Sequence, residues 1–261
     1  MAKVIAVSNN KGGTAKTTTA STLAVCLAKA GKKVLAIDND PQGHLSKCLG
    51  IEYPGEMDIT LNTIMEKIIS DEEVGEGEGI VPMKNGVDLM PTNLKYSGME
   101  LSLFSAMNRE RVLKEYVDSI RPFYDYIIID CQPTLGLLTI NALTAADSVL
   151  VPVQAEKLAV DGLQQLIQAV GMVKRKLNHS LSIEGVLFTI VAERTRDAKE
   201  VMSMVKEAFD TNVHFSEQVI PASVKARECS GTGYSILDYD PDGKVAAAYE
   251  SLTREVLSNV Q

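Results

Sequence analysis

The segment SNNKGGTAKTTT, residues 8–19, brings together two glycines, two lysines and several threonines, which are residue types that bind phosphate. It approaches the phosphate-binding pattern G-x-x-x-x-G-K-[ST], but Asn10 and Ala15 stand at the two glycine positions. A positive φ at position 15 would make the alanine Cβ costly, whereas a negative φ would accommodate it. The sequence leaves both conformations open, so the neighbouring residues have to show whether the loop is functional.

The chemistry expected of this loop follows from its position, because it comes after a strand-like apolar run and opens a helical pattern. The backbone N–H groups around Gly12 and Gly13 and the positive end of the helix would bind phosphate oxygens. Lys16 is expected to reach the β- and γ-phosphates of a nucleotide, and the Thr17 hydroxyl to bind Mg²⁺. The residues predicted to bind nucleotide are Lys11, Gly12, Gly13, Thr14, Ala15, Lys16, Thr17 and Thr18.

Two further strand-like runs end in carboxylates. LAIDNDPQG places Asp38 and Asp40 two residues apart, which puts both side chains on one side of an extended chain. YDYIIIDCQPTLG ends its apolar run at Asp130, where P-loop enzymes carry an aspartate that holds Mg²⁺. Ligands of open α/β sheets bind at the carboxyl ends of the strands. We therefore predict that Asp40 and Asp130 hold Mg²⁺ or a water beside the phosphates, while Asp38 orients the loop. The alternative for Asp40 is a structural one, in which it caps the turn at Pro41.

These residues need a scaffold of buried parallel strands. Short β-branched runs alternate with helical patterns along the chain, which indicates a doubly wound α/β fold with a mostly parallel sheet flanked by helices. The predicted strands are 3–8, 33–38, 124–130, 147–153 and 183–191, with weaker candidates at 87–92 and 217–221. The predicted helices are 16–30, 109–121, 159–177 and 242–259. No repeat or linker interrupts this alternation, so residues 1–261 are predicted to form a single domain.

The net charge of −8 is concentrated in one segment of the 261-residue chain. Residues 52–78 contain nine acids and one base, so the remaining residues hold 25 acids and 25 bases. A neutral remainder can still present a basic face, and the acidic total therefore does not exclude binding to DNA. We predict a solvated, acidic variable segment over residues 52–79.

Composition disfavours several classes of protein. Aromatic residues make up 5% of the chain and tryptophan is missing, which disfavours a stacking platform for single-stranded nucleic acid. No stretch approaches the ~20 apolar residues of a membrane span, and the N-terminal residues do not resemble a signal peptide. The four cysteines lie far apart and are interpreted as reduced, buried thiols of a cytosolic protein. They are Cys26, Cys48, Cys131 and Cys229.

Four segments, in this order, resemble the ParA/MinD group of deviant Walker-A ATPases, and most closely its short, Soj-like ParA members. They are NNKGGTAKTTTASTLA, VLAIDNDPQGHLSKCLG, YDYIIIDCQPTLGLLTINALTAADSVLVPVQ and SVKARECSGTGYSILDYDP, so the resemblance covers nearly the whole chain. The loop of that group is K-G-G-x-G-K-T, in which the first glycine is routinely absent, and this accounts for Asn10. Ala15 departs from the group's glycine, and Gln132 departs from its usual Pro-Pro pair.

The resemblance implies an ATP-dependent switch that uses Mg²⁺ and cycles between ATP and ADP. Lys11 would be the group's signature lysine, which crosses to the partner's nucleotide in an ATP-sandwich homodimer. Lys11, Lys16 and Asp40 would form the catalytic set, with Asp40 positioning the attacking water. Thr17, Asp40 and Asp130 would serve Mg²⁺. The switch residues that it implies are Asp38, Pro41, Gln42, Gly43, Pro133 and Gly136.

The resemblance also implies a slow ATP hydrolase for plasmid or chromosome partition, stimulated by DNA and by a ParB-type centromere-binding partner. In its ATP-bound dimer the protein would bind double-stranded DNA without sequence preference. By position, Arg194 and Lys225 would contact DNA, and Arg227 is a nearby candidate. Such a protein would be cytoplasmic and nucleoid-associated, with no membrane partner.

Alternatives within the same group stay open. Some relatives position other cargo, such as a chemoreceptor array or a microcompartment. A MinD-like membrane-associated ATPase would end in a basic amphipathic helix. Here YESLTREVLSNVQ has one arginine and two glutamates, and its apolar stripe is expected to pack on the sheet. An ATP-dependent synthase of similar fold would need a small-molecule pocket that no motif identifies. Because the chain begins shortly before the loop, we expect no helix-turn-helix extension and no operator-specific binding.

Overall fold

The computed structural model describes residues 1–156, 159–192, 195–209, 213–229 and 232–259. Within these residues the strands are β1 Lys3–Val7, β2 Val34–Asn39, β3 Val81–Pro82, β4 Asp88–Met90, β5 Tyr126–Cys131, β6 Ser148–Gln154, β7 Ser182–Val191 and β8 Phe215–Pro221. They form one sheet in the order β3-β4-β2-β5-β1-β6-β7-β8. All neighbouring strands are parallel except β3 and β4, which are antiparallel.

Helices cover both faces of this sheet. They are α1 Lys16–Lys29, α2 His44–Cys48, α3 Leu61–Ile69, α4 Met99–Ser105, α5 Val112–Ile120, α6 Leu137–Ala145, α7 Ala159–Lys176, α8 Arg196–Phe209, α9 Val224–Cys229, α10 Ile236–Tyr239 and α11 Lys244–Ser258. Short 3₁₀ helices span Pro54–Glu56, Leu94–Gly98 and Arg121–Phe123. Crossovers through helices are what parallel neighbours require, since a tight hairpin can join only antiparallel strands.

Alternate side chains of the central strands enter two separate cores. On one face, Ile37 and Ile129 pack with helices α3 to α8. On the other face, Ile5 and Ile128 pack with α1, α2, α10 and α11. Strands β2 and β5 are buried along their whole length, because helices cover them from both sides. The prediction of a doubly wound, mostly parallel α/β sheet is confirmed.

Seven of the described helices were not predicted from the sequence: α2, α3, α4, α6, α8, α9 and α10. Helix α3 lies inside the acidic segment 52–79, and its Leu61, Ile64 and Met65 are buried in the core. The prediction of a solvated segment is therefore wrong over α3. The strands and helices that were predicted are present, with ends within a few residues of the expected ones.

The C-terminal helix packs on the body of the protein. Val245, Tyr249, Leu252 and Val256 of α11 are buried against α1 and β8, and the Tyr249 hydroxyl lies 3.0 Å from Thr19 Oγ1. The apolar stripe of this helix therefore belongs to the core, as expected. In the part of the chain that is described, none of the helices has the length and apolar character needed to cross a bilayer.

Candidate nucleotide-binding site

The predicted loop and the two acidic strand ends meet at one edge of the sheet. Strand β1 pairs with β5 so that Val7 stands opposite Asp130, and β2 pairs with β5 so that Asp38 stands opposite Asp130. The loop 8–15 continues from the carboxyl end of β1 into α1. This is the edge of an open parallel sheet at which ligands bind.

The loop bends through two residues in the left-handed region, and one of them is not glycine. Gly13 has φ 76°, and Ala15 has φ 61° and ψ 32° directly before the first residue of α1. The Ala15 carbonyl accepts from the N–H of Thr19 at 2.8 Å, so the strained residue begins the hydrogen-bond ladder of the helix. A left-handed alanine costs roughly 1–2 kcal/mol. The position thus does favour glycine, and the chain tolerates alanine there at a cost.

The two lysines of the loop point in different directions. Lys16 is 7% exposed, and its Nζ donates to the carbonyl of Lys11 at 2.9 Å. Burial lowers the pKa of Lys16 below its ordinary value, although the nearby Asp130 carboxyl acts against this. The Lys11 side chain is 37% exposed, and its Nζ forms an ion pair with Glu156, which follows β6.

The neighbouring strands support the loop at its backbone. Asn9 Nδ2 donates to the Pro152 carbonyl at 2.7 Å, and Gln154 Nε2 donates to the Gly13 carbonyl at 2.8 Å. From β7, Thr189 Oγ1 donates to the carbonyl of Thr14 at 3.0 Å. The sequence analysis did not predict these hydrogen bonds to the loop. The one residue that could have indicated them is Gln154, the polar residue that ends the otherwise apolar run of β6.

Two of the three residues predicted to serve Mg²⁺ are in contact, Thr17 of α1 and Asp130 of β5. Thr17 Oγ1 donates to Asp130 Oδ2 at 2.7 Å, and Asp130 is fully buried. Its other oxygen, Oδ1, is buried without a hydrogen-bond partner among the described residues. A carboxylate oxygen of this kind beside a threonine hydroxyl suits Mg²⁺, a hard cation that prefers oxygen ligands. Burial, with Asp38 as a second cause, raises the pKa of Asp130 well above its ordinary range. A bound cation would oppose that rise.

Asp38 has a different environment from its neighbour on β5. Its Oδ2 accepts from the backbone N–H and the hydroxyl of Ser46 in α2, at 2.8 and 2.7 Å. Burial raises the pKa of Asp38 to about 7, while the hydrogen bonds from Ser46 lower it. Asp38 therefore ties the end of β2 to α2, and its role in orienting the loop stays a prediction.

Asp40 caps the turn that leads away from β2. It is 8% exposed, its Oδ1 accepts from the N–H of Gln42 at 3.0 Å, and its carbonyl accepts from the N–H of Gly43 at 2.9 Å. Gly43 has φ 65° and precedes α2. The structural role left open for Asp40 is thus present. Its charge also acts on Lys16, so the carboxylate lies within electrostatic reach of the loop.

The second predicted switch follows β5. Pro133 is exposed, and Gly136 stands immediately before α6. Gln132, the departure from the Pro-Pro pair, donates through Nε2 to Glu100 Oε1 of α4 at 3.2 Å. Asn39, which follows Asp38 in the first predicted switch segment, donates through Nδ2 to the carbonyl of Leu138, just after Gly136 in the second segment, at 3.0 Å. The two segments are therefore joined directly.

Two of the three candidates for DNA contact lie on α9. Arg194 lies outside the described residues. Lys225 and Arg227 are exposed on α9, and Lys225 Nζ forms an ion pair with Asp240 at 2.7 Å. That pair raises the pKa of Lys225, which keeps the ammonium charged.

The fold and the loop define a P-loop nucleotide-binding protein with a deviant Walker-A motif. A family model described as an AAA domain matches residues 2–183. The chain is 42% identical over 259 residues to the sporulation initiation inhibitor protein Soj of Bacillus subtilis (strain 168), covering 99% of this chain and 100% of that protein. It is 39% identical to the chromosome partitioning protein ParA of Myxococcus xanthus (strain DK1622), over 98% of this chain and 88% of that protein.

A solved structure is also similar. It is that of cobyrinic acid a,c-diamide synthase from Mycobacterium smegmatis with bound ADP and magnesium, at a TM-score of 0.85 and 32% identity, covering 98% of this chain and 94% of that one. The chain belongs to the ParA/MinD family of ATPases. Within it, the chain is of the ParA/Soj-like partitioning type.

Proposed function

We propose that this chain hydrolyses ATP with Mg²⁺, dimerises around ATP, and in that state binds double-stranded DNA without sequence preference during plasmid or chromosome partition. The observation that carries this proposal is that Lys11 and Lys16, two lysines of one loop, point in different directions. Lys16 is buried at the loop's own phosphate cradle, whereas Lys11 is turned outward to Glu156. One inward lysine suffices for the chain's own nucleotide, so the outward lysine is available to a second nucleotide.

The roles of the residues follow from their places. The backbone of residues 11–17 would bind the phosphates, and Lys16 would neutralise charge on the β- and γ-phosphates. Thr17 and Asp130 would hold Mg²⁺, which supplies charge neutralisation on the phosphate oxygens when it is bound. Asp40, in the turn beside Lys16, would accept a hydrogen bond from the attacking water. Lys11 of one protomer would approach the γ-phosphate held by its partner, so that hydrolysis depends on dimerisation.

DNA binding would rest on Lys225, Arg227 and Arg194. Non-specific binding needs only neutralisation of backbone phosphates, and a dimer doubles the number of contacts. Two of these residues are exposed and cationic on α9, which supports the assignment. A ParB-type partner would stimulate hydrolysis and release the DNA. The protein would then be cytoplasmic and nucleoid-associated.

The experiment is binding of a random-sequence DNA duplex to the Asp40→Ala protein with ATP, with ADP and without nucleotide, at two salt concentrations. We expect tight, salt-sensitive binding with ATP alone. A double variant, Arg194→Glu with Lys225→Glu, should lose this binding and still dimerise. If the Asp40→Ala protein binds ATP and dimerises but never retains DNA, the proposal fails. A relative that positions other cargo, or one that acts on a small molecule, would then be favoured.

A further inference from the structure

Helix α4 is apolar on two opposite faces. Met99 and Leu103 enter the core and are 1% and 0% exposed. Leu101 and Phe104 lie on the other face and are 80% and 72% exposed. Large apolar side chains gathered on an exposed face mark interaction sites.

The exposed apolar surface extends beyond α4. The 3₁₀ helix that precedes it adds Leu94, which is 68% exposed, and the segment that follows it adds Met107, which is 91% exposed. We call these four residues the apolar ridge: Leu94, Leu101, Phe104 and Met107.

The apolar ridge stands on residues that contact both switch segments. Glu100 of α4 accepts from Gln132 Nε2 at 3.2 Å, in the segment that follows Asp130. Tyr96, in the 3₁₀ helix before α4, is fully buried, and its hydroxyl donates to Asn39 Oδ1 at 2.7 Å, between Asp38 and Asp40. Both switch segments are therefore hydrogen-bonded to the base of the ridge.

The ridge also shares an edge of the sheet with Lys11. Strand β5 lies between β2 and β1, and Asn39, Gln132 and Lys11 come at or after the carboxyl ends of those strands. Lys11 pairs with Glu156 just before α7, on the face of the sheet that α4 also covers. The residues at the base of the apolar ridge therefore lie at the same end of the sheet as Lys11, where the proposed dimer would form.

The charges around the ridge have both signs. The Arg109 guanidinium lies 5.5 Å from the centre of the Phe104 ring and forms an ion pair with Glu110 at 3.0 Å. Lys95, which is exposed, and Glu100, which is partly exposed, add a further cation and a further anion in the same segment. A mixed rim does not suit nucleic acid, which requires an excess of positive charge. It suits an identical surface related by a two-fold axis, because each copy then offers both an anion and a cation to the other.

We propose that the apolar ridge packs against a second copy of this chain in the ATP-bound dimer. The inference rests on the proposed function and assigns it a contact outside the nucleotide. Nucleotide-dependent changes at the two switch segments set the position of α4 through Gln132 and Asn39. The position of α4 in turn determines how well the ridge packs against the second copy, and hence the affinity of the dimer. The ridge is therefore the part of the interface whose packing depends on the bound nucleotide.

The test is sedimentation equilibrium of the full chain with a non-hydrolysable ATP analogue and Mg²⁺, comparing the wild type with Phe104→Ser and Leu101→Ser. Phe123→Ser is the matched control, because Phe123 is 49% exposed and precedes β5 at the opposite edge of the sheet. We expect each ridge variant to raise the dimer dissociation constant on the order of thirtyfold, as for a central apolar contact. The control should match the wild type. Thermal unfolding and nucleotide affinity of the monomers should stay unchanged, which excludes misfolding.

The outcomes separate the two proposals. If the wild type does not dimerise with nucleotide, the proposed function fails before any variant is compared, and the ridge proposal fails with it. If the wild type dimerises and both ridge variants do so equally well, only the ridge proposal is overturned. If dimerisation is intact but stimulation by DNA or by a ParB-type protein is lost, the ridge belongs to that partner, and the assignment to a second copy is wrong.

Discussion

Lys11 and Lys16 are five residues apart in one loop, yet they occupy different environments. Lys16 is enclosed at 7% exposure, with its ammonium on the loop's own backbone, while the ammonium of Lys11 lies on Glu156 at the surface. On the function proposed above, the loop presents one cation to its own ligand and the other outward. Variants that separate the two lysines provide the strongest tests.

The largest effect is expected from Lys16→Ala. In the proposed site this change removes a cation that would contact phosphate both in the ground state and as charge develops, so binding and rate should each fall about a hundredfold. The value of kcat/KM for ATP should therefore fall roughly 10⁴-fold, as measured by steady-state hydrolysis and by titration with a fluorescent ATP analogue. Lys29→Ala, which removes an exposed lysine at the other end of α1, is the control and should retain the affinity. Undiminished ATP affinity in Lys16→Ala would contradict the predicted site.

Lys11→Ala should separate rate from binding. If Lys11 acts only on the partner's nucleotide, ATP affinity of the monomer stays within about twofold, whereas stimulated hydrolysis falls on the order of 10³-fold, as for an arginine finger. Mixing Lys11→Ala with Asp40→Ala sharpens the test, because a mixed dimer contains one complete site. Partial recovery of hydrolysis in the mixture is expected. A large loss of affinity in the monomer would show instead that Lys11 serves its own nucleotide.

The two lysines also show how much of this site the sequence could predict. The residue types and order fixed Gly13, Lys16, Thr17 and Asp130 at one edge, because parallel strands separated by helices bring their carboxyl ends together. The contact of Lys11 with Glu156 depends on the side-by-side placement of β1 and β6, whose paired residues lie 143 positions apart along the chain, and no local pattern encodes it.

Other features escaped prediction for similar physical reasons. The conformation of Ala15 was undecided because φ depends on how the loop is held between strands, here by Gln154 and Thr189. Helix α4 was missed because its apolar residues lie on two faces, which hides the periodicity that identifies an amphipathic helix.

The pH dependence of stability should reflect the burial of Lys16. Because burial lowers the pKa of Lys16 below 10.5, the unfolded chain binds more protons than the folded chain between that lowered pKa and 10.5. The contribution of Lys16 to the free energy of unfolding of the ligand-free protein should therefore rise with pH across this window, whereas buried groups with raised pKa values, such as Cys26 and Tyr249, contribute in the opposite direction. In denaturant unfolding at several alkaline pH values, the slope of this free energy against pH should be less positive, or more negative, in Lys16→Met than in the wild type. Equal slopes would show that the ammonium is solvated.

Ala15→Gly tests the backbone that joins the two lysines. Glycine adopts φ 61° without the Cβ penalty, so the free energy of unfolding should rise by about 1 kcal/mol and Tm by about 2 °C. Ala28→Gly, inside α1, is the matched control and should act in the opposite direction by about the same amount. Differential scanning calorimetry of the ligand-free protein measures both. Destabilisation by Ala15→Gly would show that loop entropy outweighs strain at this position.

The smallest effect is expected from Glu156→Gln, which removes the partner of Lys11 and leaves Lys16 untouched. An exposed ion pair contributes at most about 1 kcal/mol, so the free energy of unfolding should change by less than that. If the pair holds Lys11 away from a second protomer, its loss should strengthen the ATP-dependent dimer by up to about threefold. Glu250→Gln, on the exposed side of α11, is the control. Weaker dimerisation in Glu156→Gln would mean instead that Glu156 orients Lys11 toward its target. The ion pair would then belong to the assembled site, and the outward direction of Lys11 would already be its working conformation.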